Sequence, residues 1–138
     1  MEPRAPESAG VSLCLASGGF IKVIAIGAFT LSWMHSVEKT TWEEDWVVQE
    51  KTIKLVSARV QGTGAGMEIP EGAVHEGKWY RWTPTLKPLK SLTLDRSNAT
   101  TDWQICVTQG CTSLGNLVGE EAEKVELSAC SRPPRPQQ

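Results

Sequence analysis

The chain has 138 residues, of which 40% are hydrophobic and 22% charged, with a formal net charge of −2. This length fits one domain of ordinary size, and the apolar content is sufficient for a packed core. The mild acidity, without any run of Lys and Arg, argues against nucleic acid and against an anionic membrane surface as partners. Six Trp beside two Phe and one Tyr predict a few large indoles that are buried or face a ligand.

The most apolar stretch, Val11–Met34, has about the length of a membrane span, but Lys22 lies near its centre and glycines interrupt it. Residues 1–10 hold two Glu against one Arg, unlike the positive start of a signal peptide. Division at Gly18-Gly19 gives a hairpin instead, with strands at Val11–Ser17 and Phe20–Ala25. We therefore expect no membrane span and, without a credible signal, a cytoplasmic location.

The clearest pattern is the alternation along Phe29–Val37 and Trp42–Val48. Apolar residues occupy odd positions in the first segment and even positions in the second, which is the period of half-buried strands. Two antiparallel strands keep both apolar sets on one face only if paired residue numbers add up to an odd value. A tight turn at Lys39-Thr40 then predicts these pairs: Leu31 with Val48, Trp33 with Trp46, His35 with Glu44, and Val37 with Trp42.

Short segments rich in β-branched and aromatic residues continue the series of strands. They are Thr52–Val60, Lys78–Trp82, Leu92–Asp95 and Trp103–Val107. Residues 61–77 and 83–88 predict turns or ordered loops, and Glu120–Leu127 alone predicts a helix. We expect a single all-β domain over 11–130, a small antiparallel β-sandwich or partly open barrel. The terminal segments 1–10 and 131–138, the second of them Pro-rich, are expected to be disordered.

Three segments in order, Phe29–Lys39, Trp42–Glu44 and Gly62–Pro70, resemble the bacterial domain of unknown function 1850 family. The family pattern is an aromatic residue followed by His-Ser-Val-Glu, a downstream Glu, and a Gly-Ala-Gly segment ending near Pro. The resemblance covers approximately Val11–Leu114. It implies an accessory role beside tripartite ATP-independent periplasmic transporters of the TAXI type, with a transporter component or a small anionic solute as partner. It also implies a periplasmic location and no established catalytic activity.

His35 and Glu44 are the residues best suited to catalysis or ligand binding. They suit a general base oriented by a carboxylate, or half of a metal site, but a buried structural pair is the favoured interpretation. Because no third ligand and no positioned nucleophile is evident, we expect no metal and no cofactor, and the sequence favours a non-enzymatic role while leaving an enzyme open. Ser36 and Glu38 alternate with His35, so they point to the opposite side and argue against a Ser-His-Glu triad.

Gly64 and Gly66 predict a tight loop, which serves either close packing or the capping of an anion by backbone amides. The candidate ligand-binding set is therefore His35, Glu44, Trp33, Trp42, Trp46, Ser36, Glu38, Gly64 and Gly66.

The four cysteines leave the redox compartment open. Cys106 and Cys111 flank a Gln-Gly turn, a spacing that suits a hairpin disulfide or two free thiols. Cys14 and Cys130 are far apart in sequence, and nothing indicates how they pair. With a cytoplasmic location, free thiols are the expectation, and an oxidising compartment would reverse it.

Three classes of function are consistent with the sequence. The first is a ligand-binding or accessory module of a solute transporter. The second is an enzyme that uses His35 and Glu44, and the third is a structural or protein-interaction domain with an exposed Trp surface. An indole-lined pocket around the dyad would favour the first two, and a filled interior the third.

Overall fold

The computed structural model describes residues 10–34, 40–62, 70–97 and 101–131. Within these ranges the chain forms eleven strands and one short helix. The elements are β1 (Val11–Ser17), β2 (Phe20–Ile24), β3 (Ala28–Met34), β4 (Thr41–Val48), β5 (Ile53–Gln61), β6 (Val74–Glu76), β7 (Trp79–Trp82), β8 (Leu92–Asp95), β9 (Gln104–Val107), β10 (Gly110–Ser113), α1 (Leu114–Val118) and β11 (Lys124–Ser131).

The strands form two antiparallel sheets that share one core. The four-stranded sheet has the order β2-β1-β11-β8, and the seven-stranded sheet has the order β10-β9-β3-β4-β5-β7-β6. Buried residues of both sheets belong to one hydrophobic cluster. The predicted all-β single domain is therefore confirmed, and it is an open sandwich rather than a closed barrel. The helix in the described part of the chain, α1, has five residues and is too short to cross a membrane.

Alternating apolar side chains build the core from both sides. Leu13 and Leu15 on β1 are fully buried, as are Val125 and Leu127 on β11. Across the core, β3 contributes Phe29 and Leu31, at 4% and 1% exposure. In each case buried residues lie two positions apart, because successive side chains of a strand point to opposite faces.

A bulge allows β5 to bury residues of both parities. Its pairing with β4 shifts between Asp45, which faces Ser57, and Trp46, which faces Leu55, so Val56 has no partner across the strand pair. After one extra residue the alternation resumes with the opposite parity. Both halves of β5 therefore direct apolar residues to the core, namely Ile53, Leu55, Ala58 and Val60.

The predicted register of β3 with β4 is wrong, although its parity is right. Leu31, not His35, lies opposite Glu44, and Trp33 lies opposite Trp42. Paired numbers still add up to an odd value, so both apolar sets share one face as predicted. The prediction centred the strand pair on Lys39-Thr40, whereas the described pairs, such as Met34 with Thr41, are centred two residues earlier in the chain.

The predicted helix at Glu120–Leu127 is wrong as well, because β11 begins at Lys124 and the helix lies earlier, at Leu114–Val118. Helix-favouring residues such as Glu and Ala predict a helix locally, but β11 pairs with β1 and β8 and buries alternate residues between them. A strand also lies inside the predicted loop 61–77: β6 pairs with β7 across a turn at Gly77, whose φ is +61°.

The expectation of free thiols is wrong too, since all four cysteines form disulfides. Cys14 of β1 is bonded to Cys130 of β11, on neighbouring strands of the smaller sheet. Cys106 and Cys111 face each other directly in the β9–β10 hairpin and are bonded there. One bond thus closes a long stretch of chain, with a sequence separation of 116, and the other closes a hairpin, with a separation of 5.

Candidate functional site

Four tryptophans from separate parts of the chain contact one another on the inner face of the seven-stranded sheet. We call Trp33, Trp42, Trp82 and Trp103 the indole cluster. Trp33 lies near the centre, with its ring centroid 6.2 Å from that of Trp42 and 5.0 Å from that of Trp103. Trp82 meets Trp42 edge to face, with centroids 6.3 Å apart and ring planes at 86°. All four side chains are partly exposed.

The register of the sheet explains why these rings meet. Trp33 and Trp42 are direct cross-strand partners in β3 and β4. Trp82 pairs with Ala58 of β5, and Ala58 pairs with Glu44 of β4, so these three residues form one row across the sheet. The small side chain of Ala58 leaves room between its larger neighbours. Trp82 can therefore reach across β5 to the β4 tryptophan.

An ion pair holds Trp103 in position. Asp102 accepts hydrogen bonds from the backbone N–H of Trp103 at 2.9 Å and of Gly115 at 2.8 Å, and from the Nε and Nη2 atoms of Arg96 at 2.9 and 3.0 Å. Burial raises the pKa of Asp102, but the hydrogen bonds from Arg96 and Gly115 outweigh it and hold that pKa below its usual value. The Trp103 indole N–H donates to the backbone oxygen of Asp95 at 2.9 Å.

Glu44 is a carboxylate on the same inner face as the indole cluster. It lies between Leu31 and Ala58 of the adjacent strands, and its Oε1 accepts a hydrogen bond of 3.1 Å from the indole N–H of Trp46. Burial raises the pKa of Glu44, and the bond from Trp46 offsets this only in part. Among the described residues, no Lys, Arg or His forms a salt bridge with it.

Carboxylates on the outer face of the same sheet are paired. Arg59 donates to Glu43 Oε1 and to Asp45 Oδ2, each at 2.8 Å, and Thr30 donates to Asp45 Oδ1 at 2.6 Å. Burial raises the pKa of Asp45, but the hydrogen bonds from Thr30 and Arg59 outweigh it, so the pKa stays below its ordinary value. The guanidinium of Arg59 also lies 5.6 Å from the ring centroid of Trp79. We call these five residues the outer network.

The structure brings together Trp33, Trp42 and Glu44 from the predicted site. Trp46 is at 2% exposure in the core, stacked on Phe29, so it orients Glu44 and does not line the surface. The remaining predicted residues, His35, Ser36, Glu38, Gly64 and Gly66, lie outside the described residues. Their predicted roles therefore stay predictions, but the cross-strand opposition of His35 and Glu44 is corrected by the register.

The segments that hold those residues connect to one end of the sheet. Residues 35–39 follow Met34 at the end of β3 and precede the start of β4, and 63–69 follow the end of β5. Met34 pairs with Thr41, and the next residue, Trp42, pairs with Val60. These strand ends are adjacent, and the indole cluster lies beside them.

Sequence reasoning missed Trp82, Trp103 and the outer network. The high Trp count was the available signal for the indoles, but nothing in the spacing places β7 or the start of β9 near Trp33. The described residues also contain no group of three or more His, Cys, Asp or Glu side chains arranged to hold a metal ion.

Fold and site together define an antiparallel β-sandwich with an indole-lined surface and an inner carboxylate, Glu44, that has no counter-ion among the described residues. The family described as "Domain of unknown function (DUF1850)" matches residues 29–114, which is more than half of the chain. The chain belongs to this family. Searches of curated proteins and of solved structures returned no match.

Proposed function

We propose that this chain is a ligand-binding accessory domain that serves a TAXI-type tripartite solute transporter. The observation that carries the binding role is the partly exposed indole cluster beside Glu44. Aromatic walls around a few polar groups are typical of small-molecule sites. The same surface adjoins the strand ends to which residues 35–39 and 63–69, parts of the family's motif segments, connect.

The indole nitrogen of Trp42 supports a binding role. It is buried and has no hydrogen-bond partner within the described ranges. A buried donor left unpaired costs about 1–3 kcal/mol, so native structures seldom keep one without compensation. An acceptor atom of a bound ligand recovers that cost only if neighbouring side chains move on binding and expose the nitrogen.

The transporter assignment rests on the resemblance of the three motif segments to proteins that accompany TAXI-type transporters. We further infer an oxidising compartment, such as the periplasm, because disulfides persist there and are rare in a reducing cytosol. Mass spectrometry after thiol alkylation of protein from its native cells tests this. Four unmodified, disulfide-bonded cysteines are expected, and four alkylated ones would contradict it.

A thermal-shift screen tests ligand binding. The panel holds carboxylates, amino acids, amines and divalent metals, since an anionic solute is the sequence-based prediction while Glu44 adds negative charge to the site. A ligand at a hundredfold excess over its dissociation constant stabilises the native state by about 2.7 kcal/mol. Trp42→Leu is expected to abolish the shift, whereas Trp79→Leu, on the outer face, retains it. No shift with any compound would contradict the binding role.

The transporter link needs a separate measurement. The chain is co-expressed with an affinity-tagged membrane component of the transporter, and the two are expected to co-purify in detergent. Absence of the chain from the eluate, or equal recovery when the membrane component carries no tag, would contradict the link.

A protein-interaction role is a second candidate, favoured by β2. This edge strand of the smaller sheet exposes Phe20 by 49% and Ile21 by 61%. Exposed apolar side chains on a sheet edge are typical of a partner contact. Ile21→Lys is expected to lower co-purification with the transporter component and to leave the thermal-shift response unchanged. Unchanged co-purification would exclude β2 as the contact.

A further inference from the structure

We infer that the indole cluster and Glu44 bind an organic cation, such as a quaternary or primary ammonium group. This inference rests on the proposed ligand-binding function and names the class of ligand. It differs from the anionic solute that the sequence predicts, and the difference comes from the charge and the rings at the site.

The two faces of the seven-stranded sheet differ in how their carboxylates are paired. On the outer face, Glu43 and Asp45 share the counter-ion Arg59, which donates to each at 2.8 Å. On the inner face, Glu44 receives only the indole N–H of Trp46 among the described groups. A partly buried carboxylate without a counter-ion attracts a cation and repels an anion.

The rings of the indole cluster stand at different angles to one another. Trp33 and Trp42 are nearly parallel, with 12° between their planes, and Trp82 stands at 86° to Trp42. The partly exposed cluster thus presents ring surfaces in two directions. Indole is the aromatic ring that attracts cations most strongly, and cages of such rings bind quaternary ammonium groups.

Strand register places the carboxylate on the same face as the rings. Glu44, Ala58 and Trp82 lie in one row across three strands, and Trp42 lies two residues before Glu44. Glu44 therefore shares one face of the sheet with the two perpendicular rings. Burial raises the pKa of Glu44, so its charged form gains from a cation that replaces the lost water.

Space for the rest of such a ligand adjoins the cluster. Trp82 also lines an open groove of about 1000 Å³, whose other lining residues include the apolar Leu86 and Leu89 and the charged Glu71 and Lys87. The apolar part of this lining suits a hydrocarbon portion attached to the ammonium group. The cation would lie beside Glu44 and the remainder along the groove.

The test compares three probes of similar size on the full chain with its disulfides intact. They are choline, its uncharged isostere 3,3-dimethyl-1-butanol, and the anion 3,3-dimethylbutyrate. Binding is measured by isothermal titration calorimetry and by quenching of tryptophan fluorescence. We expect choline to bind at least tenfold more tightly than the alcohol, and the anion more weakly than both.

Glu44→Gln and Glu43→Gln form a matched pair of variants on opposite faces of β4. We expect the first to reduce choline affinity at least tenfold with little effect on the alcohol, and the second to leave choline affinity unchanged. Equal affinity for choline and the alcohol, or full choline affinity in Glu44→Gln, would overturn the inference.

The outcomes also separate this inference from the proposed function. Binding of the anion or of the alcohol alone, abolished by Trp42→Leu, would overturn the cation inference and leave a ligand-binding site in place. If no probe binds and the thermal-shift panel is also negative, both the inference and the binding function fail.

Discussion

On the inner face of β4, Glu44 lies among apolar and aromatic side chains, and burial raises the pKa of its carboxyl group. One residue further on, Asp45 points outward, where Thr30 and Arg59 hydrogen-bond to it and hold its pKa below the usual value. The two carboxylates are covalent neighbours with opposite shifts. Their position on the strand, not their chemistry, decides the difference, because successive side chains face opposite sides of a sheet.

The comparison separates residues that stabilise the fold from those available for function. The outer carboxylates are satisfied within the protein and contribute to its stability. Glu44 has a hydrogen bond but no described counter-ion, so its charge opposes folding. Sites that bind ligands often retain such unfavourable charges. A substitution that removes the charge then stabilises the fold and weakens binding.

The largest effect is expected from removal of the core ring that supports Glu44. Trp46→Ala deletes a side chain at 2% exposure, stacked on Phe29, and removes the donor to Glu44. We expect the free energy of unfolding to fall by about 3–5 kcal/mol, the usual cost of a large core truncation. Urea denaturation measures it. Trp79→Ala on the outer face is the control and should cost about 1 kcal/mol. Equal losses of unfolding free energy in the two variants would mean that the inner and outer tryptophans contribute equally to stability.

Breaking the outer network is expected to cost less. Arg59→Met leaves Glu43 and Asp45 without their shared partner, and we expect a loss of about 1–3 kcal/mol at pH 7. This is below the cost for a fully buried pair because the side chains are 18%, 23% and 30% exposed, so water screens them.

The pH dependence of that loss follows from Asp45. Its folded pKa is lowered, so its contribution is complete above the unfolded pKa of about 3.8 and disappears as the pH falls through the folded pKa. The difference in unfolding free energy between wild type and Arg59→Met should therefore shrink below about pH 4. A difference that is constant from pH 7 to pH 3 would show that the network contributes by packing and not by charge.

The sequence predicts the strands better than their partners. β1 and β8 have the predicted bounds, because turn residues delimit them and their alternation is regular. The pairing of β3 with β4 depends on the point of the chain about which the two strands pair, which alternation does not encode. Parity was therefore predictable, and the displacement of His35 from Glu44 was not.

The site was predictable only where it depends on parity. Trp33, Trp42 and Glu44 share a face for that reason. Trp82 joins them through two further strand pairs, and Arg59 reaches Glu43 and Asp45 through a pairing that contains a bulge at Val56. Bulges and long-range pairing depend on tertiary packing, which a single sequence leaves undetermined.

A smaller effect is expected from one hydrogen bond of the outer network. Thr30→Val removes the 2.6 Å bond to Asp45 while Arg59 remains in place, and we expect a loss of about 1 kcal/mol at pH 7. Ser32→Ala is the matched control on the same strand, because the Ser32 hydroxyl lies 3.5 Å from Glu43, at the limit of a hydrogen bond. We expect it to be nearly neutral by urea denaturation. A larger loss of stability in Ser32→Ala than in Thr30→Val would mean that the hydrogen bond to Glu43 contributes more than the one to Asp45.

The smallest effect is expected at Glu44, and it has the opposite sign. Because the folded pKa of Glu44 is raised above the unfolded value, its ionisation costs stability as the pH rises through and beyond about 4.5. Glu44→Gln keeps an oxygen to accept the Trp46 N–H bond and removes the charge. We expect the variant to be more stable than wild type at pH 7, by about 1 kcal/mol or less, and equal to it near pH 3.

The same substitution should weaken choline binding, so a gain in stability would accompany a loss of affinity. A variant that is less stable at pH 7 would mean that the Glu44 carboxylate has a stabilising partner, and the two faces of β4 would then not differ as described.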